Sequence, residues 1–281
     1  MKIRFMGSVF VVVVLAFSAV GLAQAAQQAG PAGAKAIPRT PDGKPDLSGT
    51  WLGKGAAASR QRLDLALTPW GSDKYTWNTE PVLNTKFKLE ANVEVDRVDQ
   101  DPVYHCYPPG MVRLGPPSDT VDDSDSDHAF EISQVPGKLI IVFLHRNSVR
   151  YIYTDLRDHP KNLEETWNGH SIGKWDGDTF VVDTIGLRDE AWLDSAGHEH
   201  STQLHVVERF RRIDPDHLEI ERTLTDPIAL AKPYTSRIVV TLNPNYDLNE
   251  NKDDNDCTQY MVRKPAFGEG INGLLGIADH P

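Results

Sequence analysis

Trp167-Asn168-Gly169-His170-Ser171-Ile172-Gly173-Lys174-Trp175-Asp176-Gly177-Asp178-Thr179-Phe180-Val181-Val182-Asp183 reads as a single β-hairpin. Two runs with strand character flank Asp176-Gly177, and Asp-Gly is a strong local signal for a two-residue type I′ turn. Counting outward from that turn sets Trp175 against Asp178, Lys174 against Thr179 and Gly173 against Phe180. It also sets Ile172 against Val181 and His170 against Asp183. An aromatic opposite Gly173 would cover the gap that a strand glycine leaves. A carboxylate beside an imidazole on one sheet face is what a general acid/base needs, a ring oriented by an anion. A purely structural His–Asp pair at a sheet edge is the competing interpretation.

Outward from the hairpin, the pattern stays short-stranded. Residues 129–134 and 138–145 read as strands around the turn Val135-Pro136-Gly137, and 149–155 follows. After a polar excursion over 186–203, residues 204–213 and 218–225 make a second hairpin around Asp214-Pro215-Asp216-His217, and 234–242 adds a strand. On the N-terminal side Leu63, Leu65 and Leu67 alternate as a strand would. Thr68-Pro69-Trp70-Gly71 reads as a turn, and 73–80 and 162–167 as short helical pieces. Short strands with regularly spaced turn signals and no strongly amphipathic helix predict an antiparallel barrel or sandwich. The expectation is an all-β, antiparallel, lipocalin-like β-barrel with long loops.

The start of the chain carries an address. Lys2 and Arg4 precede an apolar run from Phe5 to Leu22 that ends in Ala23-Gln24-Ala25, the three-part form of a secretory signal peptide. The domain plan is therefore a signal over 1–25, a flexible Ala/Gly/Gln/Pro-rich arm over 26–44 and one domain over 45–281. Export to the periplasm or beyond follows. Removal of 1–25 takes two basic residues and no acid, leaving 27 basic against 40 acidic residues, a net charge of −13. That balance argues against nucleic acid and anionic membranes as partners. A small molecule is the expected partner, with a homodimer left open. Cys106 and Cys257 form an even pair in an exported chain, which predicts one disulfide. Asp123, Asp125 and Asp127 have the spacing that opens a calcium loop, but the glycine and distal glutamate are missing.

Several side chains are candidates for chemistry. With a four-residue loop in the 204–225 hairpin, Glu208 would face Thr223, His205 would reach Asp226, and Arg209 would face Arg222. Like charges opposed on a sheet need an anion between them, a bound carboxylate or a nearby acid. His170 with Asp183 is the leading acid/base pair, with Asp155 and His205 as further catalytic candidates. Arg150 or Arg209 would hold an anionic group, and Tyr151, Tyr153 and Trp192 would wall the site. His198 and His200, with His205 beyond, could instead ligate Zn or Fe. No cofactor is otherwise expected, because no phosphate-binding glycine loop or dinucleotide fingerprint occurs, and no nucleophile elbow either.

Two resemblances sharpen this. Gly49-Thr50-Trp51 at the first strand resembles the lipocalin and wider calycin signature, where the Trp closes one end of an up-and-down barrel. Pro41-Asp42-Gly43-Lys44-Pro45-Asp46-Leu47-Ser48-Gly49-Thr50-Trp51, Cys106-Tyr107-Pro108-Pro109-Gly110 and the Trp167–Asp183 hairpin resemble a group of exported bacterial proteins. Trp192-Leu193-Asp194, His198-Glu199-His200-Ser201 and Leu204-His205 continue that likeness. The acidic stretches Asp119–Asp127 and Asn249–Asp256 depart from it. The group implies positions and no reaction. The functional expectation is a cofactor-independent acid–base enzyme (lyase, hydratase or isomerase) acting on a small aromatic compound. The alternatives are a non-catalytic lipocalin-like binder of a small hydrophobic ligand and a His-ligated metal enzyme.

Overall fold

The computed structural model describes residues 36–53, 63–79, 101–105, 107–114, 128–144, 148–194 and 196–246. Cys106 and Cys257 lie outside them, as do 1–25, His145, Asp119–Asp127 and Asn249–Asp256. The described strands are β1 (Gly49–Gly53), β2 (His128–Val135), β3 (Lys138–Phe143), β4 (Ser148–Tyr153), β5 (His170–Asp176), β6 (Thr179–Ile185), β7 (His205–Asp214), β8 (His217–Thr225) and β9 (Tyr234–Leu242). Each pairs with its neighbours in sequence and β9 returns to β1, so the sheet closes into a barrel. The chain is thus an all-β barrel. Its nine strands exceed the eight of an up-and-down lipocalin barrel.

The odd number has a consequence. A ring in which every neighbour is antiparallel needs an even count, so one pair here must run parallel. That pair is β4–β5, joined through Ile152↔Ser171 and Tyr153↔Ile172. Parallel neighbours need a crossover of about a dozen residues or more, and the 16 residues 154–169 supply it.

Inside and outside alternate with period two. Phe180, Val182 and Thr184 on β6, Val206, Glu208 and Phe210 on β7, and Leu218, Ile220, Arg222 and Leu224 on β8 are buried. Trp51, Phe130, Phe143, Phe180 and Phe210 fill the interior with aliphatic neighbours. Trp51 is fully buried, its indole N–H donates to the Leu47 carbonyl at 2.9 Å, and the Arg212 guanidinium lies 5.2 Å from its ring centre. A cavity of about 10 Å³ lies among Phe130, Phe143, Phe210, Arg150, Glu208 and Arg222, room for about one water.

A second apolar cluster packs Leu204, Val206, Leu224 and Leu230 against Leu63, Leu65, Leu67 and Trp70. Residues 63–67 make one bridge, Leu67↔Leu230, and no named strand. The helix α1 (Pro69–Thr79) begins earlier than the 73–80 segment expected, because Pro69-Trp70-Gly71 is its first turn. The Thr68 hydroxyl accepts from the Gly71 N–H at 3.1 Å, an N-cap, and Pro69 takes the first helical position. Residues 162–167 are not helical. Within the arm assigned to 26–44, Arg39 pairs with Asp178 at 2.7 Å and Lys44 lies over the Trp175 ring.

Both hairpin registers differ from the counted ones. In β5–β6 the two loop residues are Gly177-Asp178, so Asp176 pairs with Thr179, Trp175 with Phe180, Ile172 with Asp183 and His170 with Ile185. Gly177 takes φ +61 at the first loop position, whereas Asp178 keeps a negative φ, the distribution of a II′ turn and not of I′. The shift is two residues, so every face is preserved. Phe180 still covers Gly173, now diagonally: a Cβ there would collide with its ring. In β7–β8 the loop is Pro215-Asp216, and a bulge between Arg212 and Asp214 moves the register by one. A one-residue slip exchanges the faces. Arg209 and Arg222 are therefore not opposed: Arg209 meets Glu221 outside, and Arg222 meets Glu208 inside.

The anion that Arg222 requires is thus Glu208. The Arg222 Nε and a terminal nitrogen reach Glu208 Oε1 at 3.1 and 3.0 Å, and Arg150 lies 2.6 Å from Oε2. That last contact is off the hydrogen-bond axis, but ion attraction is only weakly directional, so the short distance governs. Arg150 also donates to Ser171 Oγ and Thr184 Oγ1 at 3.1 and 2.9 Å. Burial pushes the Glu208 carboxyl up, yet Arg150 and Arg222 together outweigh it and hold it below the usual range. Burial lowers Arg150, with Glu208 opposing. Removing one member of a buried ion network leaves charge uncompensated and costs about 3–5 kcal/mol. Glu208→Ala is accordingly expected to lower unfolding free energy by that amount in a guanidinium titration, and a loss below ~1 kcal/mol would remove the network from the fold's support.

Candidate active site

The β4–β5 crossover leaves β4 at Tyr153 and folds back along the outer face of the sheet. It carries His159 to the place where β5, β6 and β7 present outward residues. His159 Nδ1 lies 2.8 Å from His170 Nδ1, and His159 Nε2 lies 3.0 Å from Asp183 Oδ1. The other carboxylate oxygen of Asp183 lies 3.0 Å from His205 Nε2. Four side chains from three strands and a loop thus form one chain: His170, His159, Asp183, His205.

The protons in this chain follow from its partners. A carboxylate offers only acceptors, so both His159 and His205 donate to Asp183 through Nε2–H. A neutral His159 then has a lone pair on Nδ1, and His170 must donate to it from its own Nδ1–H. His170 is left with a bare Nε2. That is the state of a general base, oriented at its far nitrogen as in carboxylate–histidine triads. When Nε2 takes a proton, the Nδ1–H remains on the His159 lone pair, and His159 remains bonded to the Asp183 carboxylate.

His170 stacks on Tyr153 with ring centres 5.3 Å apart, and Arg157 lies 3.9 Å from the Tyr153 ring centre. Burial chiefly, then the adjacent His159, then Arg157, lower the His170 pKa below its ordinary value of 6.5. The ring is therefore neutral, and basic, near pH 7. Asp155 does not touch a histidine. Arg157 clasps it with both nitrogens, and that hydrogen bonding pulls its pKa down to about 2. Asp183 and His205 are each 41 % exposed, so the chain opens to solvent at that end.

Of the candidates read from sequence, His170, Asp183, His205 and Tyr153 come together, and Asp155 joins through Arg157. Tyr151 sits on the same outer face of β4, 52 % exposed. Arg150 does not: it is buried in the barrel with Glu208. Arg209 faces outward but four residues along β7 from His205, about 13 Å at the usual strand rise, where it pairs with Asp176 at 3.0 Å. Trp192 is buried beside Gly197 and takes no part in this wall.

His198 and His200 are buried elsewhere. His198 Nδ1 lies 2.6 Å from Asp194, which also accepts the Leu63, Ala196 and His198 N–H groups, and the ring stacks on Tyr75. His200 donates to the Ser201 carbonyl at 2.9 Å, and burial lowers its pKa. His205 belongs to the outer chain, so the three do not converge. Among the described residues no group of three or more His, Cys, Asp or Glu side chains has metal-holding geometry.

His159 and Arg157 are members that the residues assigned from the sequence did not include. The signal for His159 was its place before Pro160 among the six histidines between 145 and 205.

In an NMR titration His170 is expected to lose its proton at a pH below 6.5, and His159→Ala to move that midpoint upward. An unchanged midpoint in the variant would disconnect the two rings. Set against family models, curated proteins and solved structures, the chain matches none of them.

Proposed function

We propose that this is an exported enzyme that performs cofactor-independent acid–base chemistry on a small aromatic molecule, with His170 as the base. The observation that carries this is the hydrogen-bonded chain from His170 through His159 to Asp183, which leaves His170 Nε2 unpartnered and its far nitrogen oriented. Abstraction of a proton by that nitrogen would begin an elimination or an isomerisation, and activation of water would begin a hydration. Tyr151 and Tyr153 on β4 and Ile172 on β5 offer a flat, outward shelf beside the base. An anionic substituent would meet Arg157, which already lies over Tyr153, in place of Arg150 or Arg209. Carriage of a hydrophobic ligand inside the barrel is less well supported, since pockets for small molecules measure about 300–1,000 Å³ and the cavity beside Arg150, Glu208 and Arg222 holds about 10 Å³.

The test is a mass-spectrometric screen of the mature protein against small aromatic compounds, scored for gain or loss of water and for isomers of unchanged mass. For any substrate found, His170→Ala should lower turnover by about 100-fold or more with an unchanged circular dichroism spectrum. Full activity in that variant would overturn the assignment.

A further inference from the structure

We infer that Lys138 is a substrate-positioning residue of the candidate site, and that the molecule it positions is an aromatic carboxylate. The inference deepens the acid–base assignment and rests on it for the location of the site. It names which small aromatic molecules the shelf beside His170 admits.

The strand register places the residue. Lys138 pairs with Tyr153 across β3 and β4, and Tyr153 pairs with Ile172 across β4 and β5. Directly paired residues share a sheet face, so Lys138 stands on the outer face in the row that leads to β5. Its Nζ lies 5.7 Å from the ring centre of Tyr151 and 5.7 Å from that of Tyr153. His170 stacks on the same Tyr153 ring at 5.3 Å. Cation and base therefore have one tyrosine as a common neighbour. Their strands are two spacings apart, about 10 Å, which is the scale of one substituted aromatic ring.

The charges decide what is recognised. Arg157 also lies over Tyr153, but Asp155 clasps it through Nε and a terminal nitrogen, so the two charges cancel. Asp183 is engaged by His159 and His205. Lys138 pairs with no acid among the described residues. Contact with two tyrosines steadies its ammonium without neutralising it. The site thus carries an uncompensated positive charge beside the open ring of Tyr151, which is 52 % exposed. A ring with an anionic substituent complements both features. A carboxyl group is ionised at neutral pH, whereas a phenol, with an ordinary pKa of about 10, is not. The ring of such a molecule lies against Tyr151 and its carboxylate accepts from the Lys138 ammonium. The rest of the molecule is then held on the side of Tyr153 where His170 stands. Lys138 touches no reacting atom in this arrangement; it selects the molecule and fixes how it lies.

The test is binding, without turnover, of benzoate, phenylacetate and phenylpropionate, and of their uncharged amides, to the mature protein at about pH 7.5, where His170 is neutral. Affinities are read from histidine and tyrosine ring signals in NMR titrations. At least one acid should bind about fivefold or more tightly than its amide, the upper range for an exposed ion contact. Lys138→Met should remove that preference while leaving amide affinity within about twofold, and Lys138→Arg, which keeps the charge, should restore it. Tyr151→Ala should weaken acid and amide alike. Equal affinity for acid and amide, a preference that survives in Lys138→Met, or no binding of any of the three acids would overturn the inference. His170→Ala should still bind the acids, so its loss of turnover bears on the acid–base assignment alone, and the acid preference bears on Lys138 alone.

Discussion

A ring of nine strands cannot close with every neighbour antiparallel, and this parity constraint shapes the protein more than any single contact. It forces β4 and β5 to run in the same direction, and a parallel step cannot be made by a tight turn. The start of β5 lies beside the end of β4, so the chain must leave the sheet and come back to nearly the same place. The 16-residue crossover that results passes over the outward residues of β5, β6 and β7 and brings His159 between His170 and Asp183. The candidate site is thus assembled by a demand of closure, on the outside of a barrel whose inside is full.

The interior is filled in an unusual way. Five aromatic rings share it with Arg150, Glu208 and Arg222. Such a network is weak evidence for stability, because desolvating three ions offsets most of their attraction. Its clearer effect is on register. With Glu208 turned outward, Arg150 and Arg222 would lose their shared acid, so the pairing β7 adopts is the one in which the bulge beyond Arg212 turns Glu208 inward. Ser171 and Thr184 then occupy the remaining donors of Arg150 from the very strands that carry His170 and Asp183 on their other face. Inner ions and outer histidines are two sides of one pleated wall.

What could be read from residues alone divides along the same lines. Alternation in β6, β7 and β8 and the turn signals between them made the barrel legible. His170 and Asp183 were placed on one face correctly, although their register was two residues out, because a two-residue error preserves the pleat. The 204–225 hairpin fared worse. Its bulge is a one-residue error, and that was enough to set Arg209 against Arg222 when they lie on opposite sides of the sheet. Counting cannot find a bulge, since the extra residue is accommodated by packing and leaves no periodic trace. Nor could it place Arg150, an arginine between Val149 and Tyr151 that looked available and proved to be buried.

The amino-acid sequence by itself determined the strand periodicity, the turn positions to within a residue, and the membership of the outer face that carries the histidine and the carboxylate. These are local properties, set by backbone sterics and by burial of alternate side chains. Only the tertiary structure decided that His159 stands between that histidine and that carboxylate, that Asp183 is shared with His205, and that Glu208 answers two arginines. Each of those contacts joins segments that no turn connects directly or whose register a bulge resets, and their distances are fixed by closure of the ring as a whole.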